Sequence, residues 1–372
     1  MKQKESRLSR RQFLRDAAAG ALAASALPTI IVPRRAAAFE PGGRIHPNVD
    51  PLRVVGMEDA AMVTEQRIPA AWKDQDILTA DEAVAENLDR LAMALTEEKN
   101  PSDAWKAVFV KPAGKSWSDV VVGVKTNNLG VQAPHSAVMA GVCRVLTDVI
   151  GVKGSNIHIY DGITGGDMET KTPWRDLPEG VHLAKQWDFI TVPRPVPSPW
   201  KDGQQEAKCL GQVAKGNVDI LVNVGTCKGH EPQFGGFTLA MKNHFGTFLP
   251  SMAHQEGGGL DYLIAINKTA QILGEVGQGG DVLFPRQQLC IVDALWGSDR
   301  GPKCPPDSCL NALFMGVCGP VMDYQVAMDF RKGKMGWPVH RGVANRMLAE
   351  FGFSPSDLPN GGHILDAAAQ PA

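Results

Sequence analysis

The stretch "DILVNVGTCKGH", residues 219 to 230, begins as a nearly continuous run of apolar, mostly β-branched residues and ends in Lys228 and His230. An apolar run of this length is typical of a strand that is buried on both faces of a parallel sheet. Three other runs have the same character and also end in polar residues. They are "DVVVGVKTNN" (119 to 128), "NIHIYDGITGGD" (156 to 167) and "QLCIVDALWG" (288 to 297).

Helical segments separate these apolar runs, and the clearest is "HSAVMAGVCRVLTDVIG" (135 to 151). Strands that alternate with helices predict an α/β fold, with a mainly parallel or mixed sheet covered by helices on both faces. In such sheets, ligands bind in a crevice beyond the carboxyl ends of the strands. We therefore expect the four polar strand ends to converge on one crevice, although any one of them alone could be a turn or a helix cap.

The predicted strand ends supply cationic, amide and carboxylate groups to this crevice. Lysines bind anions such as phosphate or carboxylate, and carboxylates either hold a metal ion or take part in acid-base chemistry. The candidate ligand-binding residues at the strand ends are Lys125, Asn127, Asp161, Lys228 and Asp293.

A second polar group stands inside the apolar, glycine-rich stretch "GFTLAMKNHFGTF", residues 236 to 248, which carries Lys242, Asn243 and His244. A glycine pair at 235 and 236 separates it from the Lys-Gly-His end of the strand at 219 to 230, so both groups could face the same site. The alternative is a short helix with Lys242 on its solvent face and His244 as a cation at the helix end.

Five motifs follow one another along the chain. They are "VKTNNLG" (124 to 130), "CKGH" (227 to 230), "LAMKNHFGTF" (239 to 248), "IVDALWGSDRGP" (291 to 302) and the paired-aspartate segment "GPVMDYQVAMDF" (319 to 330). In these motifs and in their order, the sequence resembles the domain-of-unknown-function 362 family of bacterial and archaeal proteins. The resemblance extends from about residue 119 to residue 353.

The resemblance implies metal or redox chemistry, because many members of that family carry or adjoin iron-sulfur cysteine motifs. It does not imply a particular reaction. This chain lacks the run of four closely spaced cysteines found in cluster-bearing members, which argues against an iron-sulfur cluster. The candidate metal ligands are His230, His244, Asp323 and Asp329, with Cys304, Cys309 and Cys318 as a weaker set.

The seven cysteines have two interpretations. In an oxidising compartment, Cys304 and Cys309 would form a disulfide, while Cys143 and Cys290 would be small buried hydrophobic residues. Alternatively, the cysteines near residue 310 are thiolate ligands, although no C-x-x-C pair is present.

The first 38 residues have the layout of a twin-arginine export signal. "SRRQFL" (9 to 14) precedes an apolar run of about 16 residues, shorter than the roughly 20 that a spanning helix needs, and "AAA" (36 to 38) follows. We expect cleavage after Ala38, with Ala26 as an alternative, export of the folded protein by the twin-arginine translocase to the periplasm, and no permanent membrane span.

Removal of residues 1 to 38 leaves 30 Lys/Arg and 38 Asp/Glu side chains, a net charge near −8. We therefore expect no nucleic-acid partner. Residues 39 to 100 read as an irregular leader with one helix at 80 to 97, and residues 101 to 360 as the α/β domain. His254 and Glu256, in "SMAHQEGGG" (251 to 259), lie on a predicted loop, either merely solvated or a mobile lid.

Two hypotheses about function follow. The first is an exported α/β protein of unknown reaction that binds a metal or an anionic ligand in a crevice lined by Lys, His and Asp, with a role or a partner in periplasmic redox metabolism. The alternative is a non-catalytic periplasmic protein that captures a small anion, for which a two-lobed shape with a hinge would be evidence.

Overall fold

The computed structural model describes residues 42–162, 168–184, 187–193, 206–249 and 259–369. The described residues belong to one compact unit. The predicted export signal, residues 1 to 38, lies outside this part of the chain, and so do His254 and Glu256.

The described residues form fourteen strands. They are β1 (Val54–Glu58), β2 (Val122–Thr126), β3 (Ile157–Tyr160), β4 (His182–Leu183), β5 (Phe189–Pro193), β6 (Glu206–Leu210), β7 (Ile220–Thr226), β8 (Lys228–Gly229), β9 (Phe237–Thr238), β10 (Gly274–Val276), β11 (Val282–Pro285), β12 (Gln287–Gly297), β13 (Ser308–Gly316) and β14 (Leu365–Asp366).

The same residues form ten α-helices, two of which continue as π-helical turns over Val145–Ile150 and Val326–Lys334. The helices are α1 (Trp72–Asp76), α2 (Asp81–Thr96), α3 (Pro101–Val108), α4 (Ser136–Arg144), α5 (Met168–Lys171), α6 (Gly211–Ala214), α7 (Ala240–Asn243), α8 (Gly259–Asn267), α9 (Gly319–Gln325) and α10 (Arg341–Ala349). Short 3-10 helices lie at Ala60–Met62, Trp117–Asp119, Gly154–Asn156, Pro232–Phe234, Pro355–Asp357, Pro359–Gly362 and Ala367–Ala369.

Eight strands form the main sheet, in the order β14-β1-β13-β12-β7-β2-β3-β4. The four strands predicted from the apolar runs, β2, β3, β7 and β12, are neighbours and run parallel. Strand β13 is antiparallel to both β12 and β1. The predicted α/β fold with a mixed sheet is therefore confirmed, and the carboxyl ends of the four predicted strands lie at one edge.

Apolar cores cover both faces of the sheet, as predicted. On one face, residues such as Val122 and Val222 pack with α2, α3 and α4. On the other face, residues such as Leu221 and Val292 pack with α8, α9 and α10. Cys143 and Cys290 are fully buried, one in each core, as small apolar side chains.

The segment from 39 to 100 is more than a leader with one helix. The predicted helix at 80 to 97 is observed as α2, with Val84, Leu88 and Leu91 buried at helical spacing. However, the segment also supplies β1, which pairs with β13 in the main sheet. The short apolar run that forms β1 lacks a long periodic pattern, so sequence reasoning missed it.

Side chains of β7 alternate between the two faces of the sheet, and this alternation determines which residues α7 covers near the carboxyl edge. In β7, Ile220, Val222 and Val224 face one core, so Asn223 and Gly225 face the other side. A Cβ at Gly225 would lie 2.9 Å from the Leu239 carbonyl oxygen, so the glycine lets the start of α7 approach the sheet closely. The helix therefore lies over a polar strip of the sheet rather than over an apolar one.

No helix within the described ranges is both long enough and apolar enough to cross a membrane.

A buried polar network fixes the beginning of α4. The Asp76 carboxylate accepts hydrogen bonds from Ser136 N (2.6 Å), Ser136 Oγ (2.8 Å) and Arg175 Nε (3.0 Å). Asp76 and Ser136 are almost completely buried. Since α4 follows β2 directly, this network also anchors the loop that leaves the carboxyl end of β2.

We expect Asp76→Ala to lower the free energy of unfolding by about 3 kcal/mol, because it leaves buried donors without an acceptor. Urea denaturation at neutral pH measures the change. The matched control is Asp74→Ala, two residues earlier on the exposed side of α1, which should change stability by no more than about 0.5 kcal/mol. Equal stability of the two variants would contradict this account.

Candidate functional site

A cleft of about 390 Å³ lies at the carboxyl edge of the sheet. It contains four of the predicted site residues, Asn127, Asp161, His230 and Lys242. The remaining lining residues are Leu129, Glu231, Thr238, Phe245, Pro302 and Lys303. The predicted convergence of β2, β3 and the chain after β7 is therefore present in the fold.

Lys125 lies directly behind the cleft wall and is fully buried. Its ammonium donates to three acceptors: Asp161 Oδ1 (3.1 Å), Asn243 Oδ1 (3.0 Å) and the Thr126 carbonyl oxygen (2.5 Å). Burial lowers the pKa of Lys125 from its ordinary value, and the charge of Asp161 partly opposes that shift. Three acceptors match the three N–H groups of an ammonium, so these contacts favour the charged form.

Gly246 is required for this ion pair. Its backbone has φ of +154°, and a Cβ there would collide with Asp161 Oδ1 and lie 2.9 Å from Lys125 Nζ. The glycine of the "KNHFG" segment is thus explained by the close approach of a backbone to a buried ion pair.

Lys228 is the second fully buried lysine behind the cleft. It donates to Asn127 Oδ1 (2.6 Å), the Leu129 carbonyl oxygen (3.0 Å) and the Gln132 carbonyl oxygen (2.6 Å). Burial lowers the pKa of Lys228 to about 7. Its three acceptors again match an ammonium, and they hold the loop after β2 in the conformation that shapes one wall of the cleft.

Lys242 differs from the other two. It lines the cleft and is 8% exposed, yet within the described residues its ammonium has no hydrogen-bond acceptor and no ion-pair partner. Its Nζ instead lies 4.2 Å from the ring centre of Phe234 and 3.8 Å from that of Phe245. Burial lowers the pKa of Lys242 to about 7, and the Glu231 carboxylate partly opposes that shift.

Asn243 points away from the cleft and into the sheet. Its Nδ2 donates to Asn223 Oδ1 (2.8 Å) and, at 3.2 Å each, to the carbonyl oxygens of Lys125 and Val224. Its Oδ1 accepts from Lys125 Nζ. Asn243 therefore joins α7 to both β2 and β7, and it shapes the site without lining it.

His244 is fully buried and bonded through both ring nitrogens. Nδ1 lies 3.0 Å from Thr247 Oγ1, and Nε2 lies 2.6 Å from Gln287 Oε1. The network is satisfied when Nε2–H donates to Gln287 and Nδ1 accepts from Thr247. Burial lowers the pKa of His244 to about 3, so the ring is neutral. It is neither a helix-end cation nor a ligand facing the cleft.

Asp323 holds the start of α7 in position. Its carboxylate oxygens accept from the backbone nitrogens of Ala240 (2.7 Å) and Met241 (3.0 Å). Burial raises the pKa of Asp323 to about 7, and the two amide donors oppose that rise. The first aspartate of the paired-aspartate segment thus positions the helix that carries Lys242.

Besides Asp323, two further predicted aspartates lie outside the cleft. Asp293 accepts from His135 N (2.7 Å) and lies 2.9 Å from His135 Nδ1. It shares a strand face with Ile291, and so it belongs to the opposite side of the sheet from α7. Asp329 pairs with His363 Nδ1 (2.7 Å) and accepts from Ile364 N (2.9 Å), which ties the π-helical turn after α9 to the C-terminal segment.

The disulfide that one of the two interpretations of the cysteines implied is not observed. Cys304 and Cys309 are both free and partly exposed, and the Cys309 thiol donates to Asn311 Oδ1 at 3.3 Å. Cys318 is buried, and burial raises the pKa of its thiol to about 12, which disfavours a thiolate. The interpretation of Cys304 and Cys309 as a disulfide therefore does not describe this structure.

The candidate metal ligands are not brought together. His230 borders the cleft, His244 lies in the interior, and Asp323 and Asp329 serve different elements. Among the residues that the structure describes, no three His, Cys, Asp or Glu side chains lie close enough together to hold a metal ion.

Sequence reasoning missed several residues that shape the site. Phe234 and Phe245 flank Lys242, and the Thr238 hydroxyl lines the cleft buried and without a partner in the described structure. Lys303 brings a further cation to the cleft lining. The glycine pair at 235 and 236 indicates a turn that brings β9 back alongside β8, so that Thr238 pairs with Lys228. This turn was the sequence signal that could have predicted a place for Thr238 near the site.

The buried, neutral His244 gives a pH-dependent stability. The unfolded chain binds a proton on this imidazole below about pH 6.5, whereas the folded chain does so only near pH 3. The contribution of the neutral His244 ring to the free energy of unfolding is therefore fully present above about pH 6.5, and it is lost as the pH falls below that value. We expect a loss of about 2 kcal/mol from this residue between pH 7 and pH 5.

Urea denaturation at the two pH values measures this loss. His244→Gln should be less stable than the unmodified protein at pH 7, but its stability should fall less between pH 7 and pH 5. Exposed His340→Gln is the control and should keep the full pH dependence. An undiminished fall in His244→Gln would show that the imidazole is not the titrating group.

Residues 122–327 match the family model described as Domain of unknown function (DUF362). The match covers more than half of the chain and includes every residue that lines the cleft. None of the curated proteins and none of the solved structures is similar enough to the chain to count as a match. Given the extent of the matched region, which runs from β2 through α9, the chain belongs to the domain-of-unknown-function 362 family.

Proposed function

We propose that the cleft binds a small organic anion. The observation that carries the proposal is the Lys242 ammonium, which lines the cleft with no acceptor among the described residues. A buried cation without a hydrogen-bond acceptor or an ion-pair partner is costly, and a bound anion offsets that cost. Binding of the anion therefore offsets the free-energy cost of burying the Lys242 ammonium.

The local charge balance supports an anion. Four lysines lie at or directly behind the cleft wall: Lys125, Lys228, Lys242 and Lys303. The cleft lining contains two carboxylates, and one of these, Asp161, is already paired with Lys125. Since the chain after residue 38 is acidic overall, this positive cleft is a local feature.

The shape of the cleft supports a small molecule with a carbon skeleton. Its volume of about 390 Å³ lies within the range of about 300–1,000 Å³ that is usual for small-molecule sites. Leu129, Phe245 and Pro302 supply apolar wall, and the unpaired Thr238 hydroxyl supplies a hydrogen-bonding group. This mixture suits a carboxylate or phosphate on a short carbon chain better than a bare inorganic ion.

The anion is favoured over the metal ion that the sequence also allowed. The cleft lining combines one imidazole and two carboxylates with two lysines, and one of the carboxylates, Asp161, is already paired with Lys125, so this is a poor donor set for a metal ion. A binding protein with two hinged lobes is also less well supported, because the described residues form one compact unit around one sheet.

Export is the second part of the proposal. The twin-arginine layout of residues 9 to 38 supports transport of the folded chain to the periplasm and cleavage after Ala38. Replacement of Arg10 and Arg11 by lysine should leave the protein in the cytoplasmic fraction with its first 38 residues intact. Recovery of a shortened protein from the periplasm of this variant would contradict the proposal.

Calorimetric titration of the protein with lactate and, separately, with inorganic phosphate tests the site. We expect Lys242→Met to weaken binding of the preferred anion by about 10- to 100-fold, because a charge-assisted contact is lost. The control Lys332→Met removes an exposed lysine after α9 and should leave the affinity unchanged. Equal affinities for both variants, or no binding of either anion to the unmodified protein, would overturn the proposal for these anions.

A further inference from the structure

We propose that Lys242 is a nucleophilic amine that forms an imine with the carbonyl group of a 2-oxo acid. This inference rests on the proposed function, since the 2-oxo acid is the small organic anion that the cleft would bind. It adds a covalent step to what would otherwise be non-covalent binding of the anion.

The contrast among the three buried lysines is the first argument. Lys125 and Lys228 each donate to three acceptors, which use all the N–H groups of an ammonium and leave no lone pair. Lys242 has the same side chain and a similar burial, but none of these contacts within the described structure. Of the three, it is the one whose amine is available to react.

The surroundings of Lys242 are the second argument. Its nitrogen lies 4.2 Å from the ring centre of Phe234 and 3.8 Å from that of Phe245, and it borders a cleft large enough for a substrate. An amine attacks a carbonyl only in its neutral form, and desolvation in an apolar pocket is a known way to supply that form near neutral pH. The lowered pKa of Lys242, about 7, agrees with this geometry.

A rigid mounting is the third argument. Lys242 lies on α7, whose first amides bond to Asp323, while the next two side chains after Lys242 anchor the helix to the sheet. These interior contacts leave the helix little freedom to move. The amine is therefore held at a fixed position in the wall, as a nucleophile requires.

The reaction balances without another reactant. The neutral amine attacks the carbonyl carbon, a C–N bond forms, and the carbonyl oxygen becomes a hydroxyl group. That oxygen then leaves as water when the C=N bond forms. Starting from the ammonium and the ketone, two of the three ammonium protons leave in the water molecule and one remains on the iminium nitrogen.

The remaining lining groups select the class of carbonyl compound. A 2-oxo acid places a carboxylate next to its ketone, and Lys303 and the unpaired Thr238 hydroxyl are available in the cleft for that carboxylate. The phenyl rings suit the attached carbon chain. A simple aldehyde or ketone without the carboxylate would lack these contacts and should react more slowly.

Reductive trapping with pyruvate as the probe tests the inference. The protein is incubated with pyruvate and cyanoborohydride, and its intact mass and peptide map are recorded. We expect one reduced pyruvate per chain, located at Lys242, with Lys125 and Lys228 unmodified as internal controls. Lys242→Met should lose this adduct, whereas Lys332→Met should keep it. Because the map of the unmodified protein identifies the site directly, the test does not depend on the folding of the variant.

The outcomes separate this inference from the proposed function. If lactate or phosphate binds in a Lys242-dependent manner but pyruvate is not trapped at Lys242, the cleft is a reversible anion site and the imine is refuted. If neither anion binds and no adduct forms, both proposals fail. Labelling spread over exposed lysines at similar rates would also refute the imine, whereas selective labelling of Lys242 supports it even if lactate and phosphate bind weakly.

Discussion

The hydrogen bonds of Asn243 are the interaction on which the rest of the site depends. One amide group joins α7 to Lys125 of β2 and to Asn223 of β7. These groups are buried, so each would be costly without its partner. The chain meets this requirement by placing the Asn243 end of α7 over Asn223 of the sheet. Lys242, the residue before Asn243, is then turned toward the cleft.

Two kinds of buried lysine result from this arrangement. Lys125 and Lys228 hold the loops at the carboxyl edge of the sheet in place, and each uses its whole donor capacity for that purpose. Lys242 is left without such contacts and lies against two phenyl rings. The same residue type thus supports the architecture at two positions and faces the ligand space at a third, and only the contacts distinguish them.

Much of the fold could be predicted because apolar continuity and helical spacing are local properties. The strands that became β2, β3, β7 and β12 were visible in this way, and so was α2. The candidate site was harder. The polar strand ends do meet at one edge, but Asp293 faces the opposite side of the sheet from Asn223, because side chains alternate along a strand. A strand end predicts an edge of the sheet, not the face on which its polar residue lies.

The sequence by itself determined the α/β class, the mainly parallel or mixed character of the sheet and the presence of polar groups at the ends of four strands, because these follow from the pattern of each segment. It also determined the family, through motifs in a matching order. Only the tertiary structure decided that His244 is a neutral interior group, that Asp323 caps a helix and that Lys242 faces a cleft. Those roles depend on which groups approach from distant parts of the chain, and the desolvation and hydrogen bonding of a side chain are set by these neighbours.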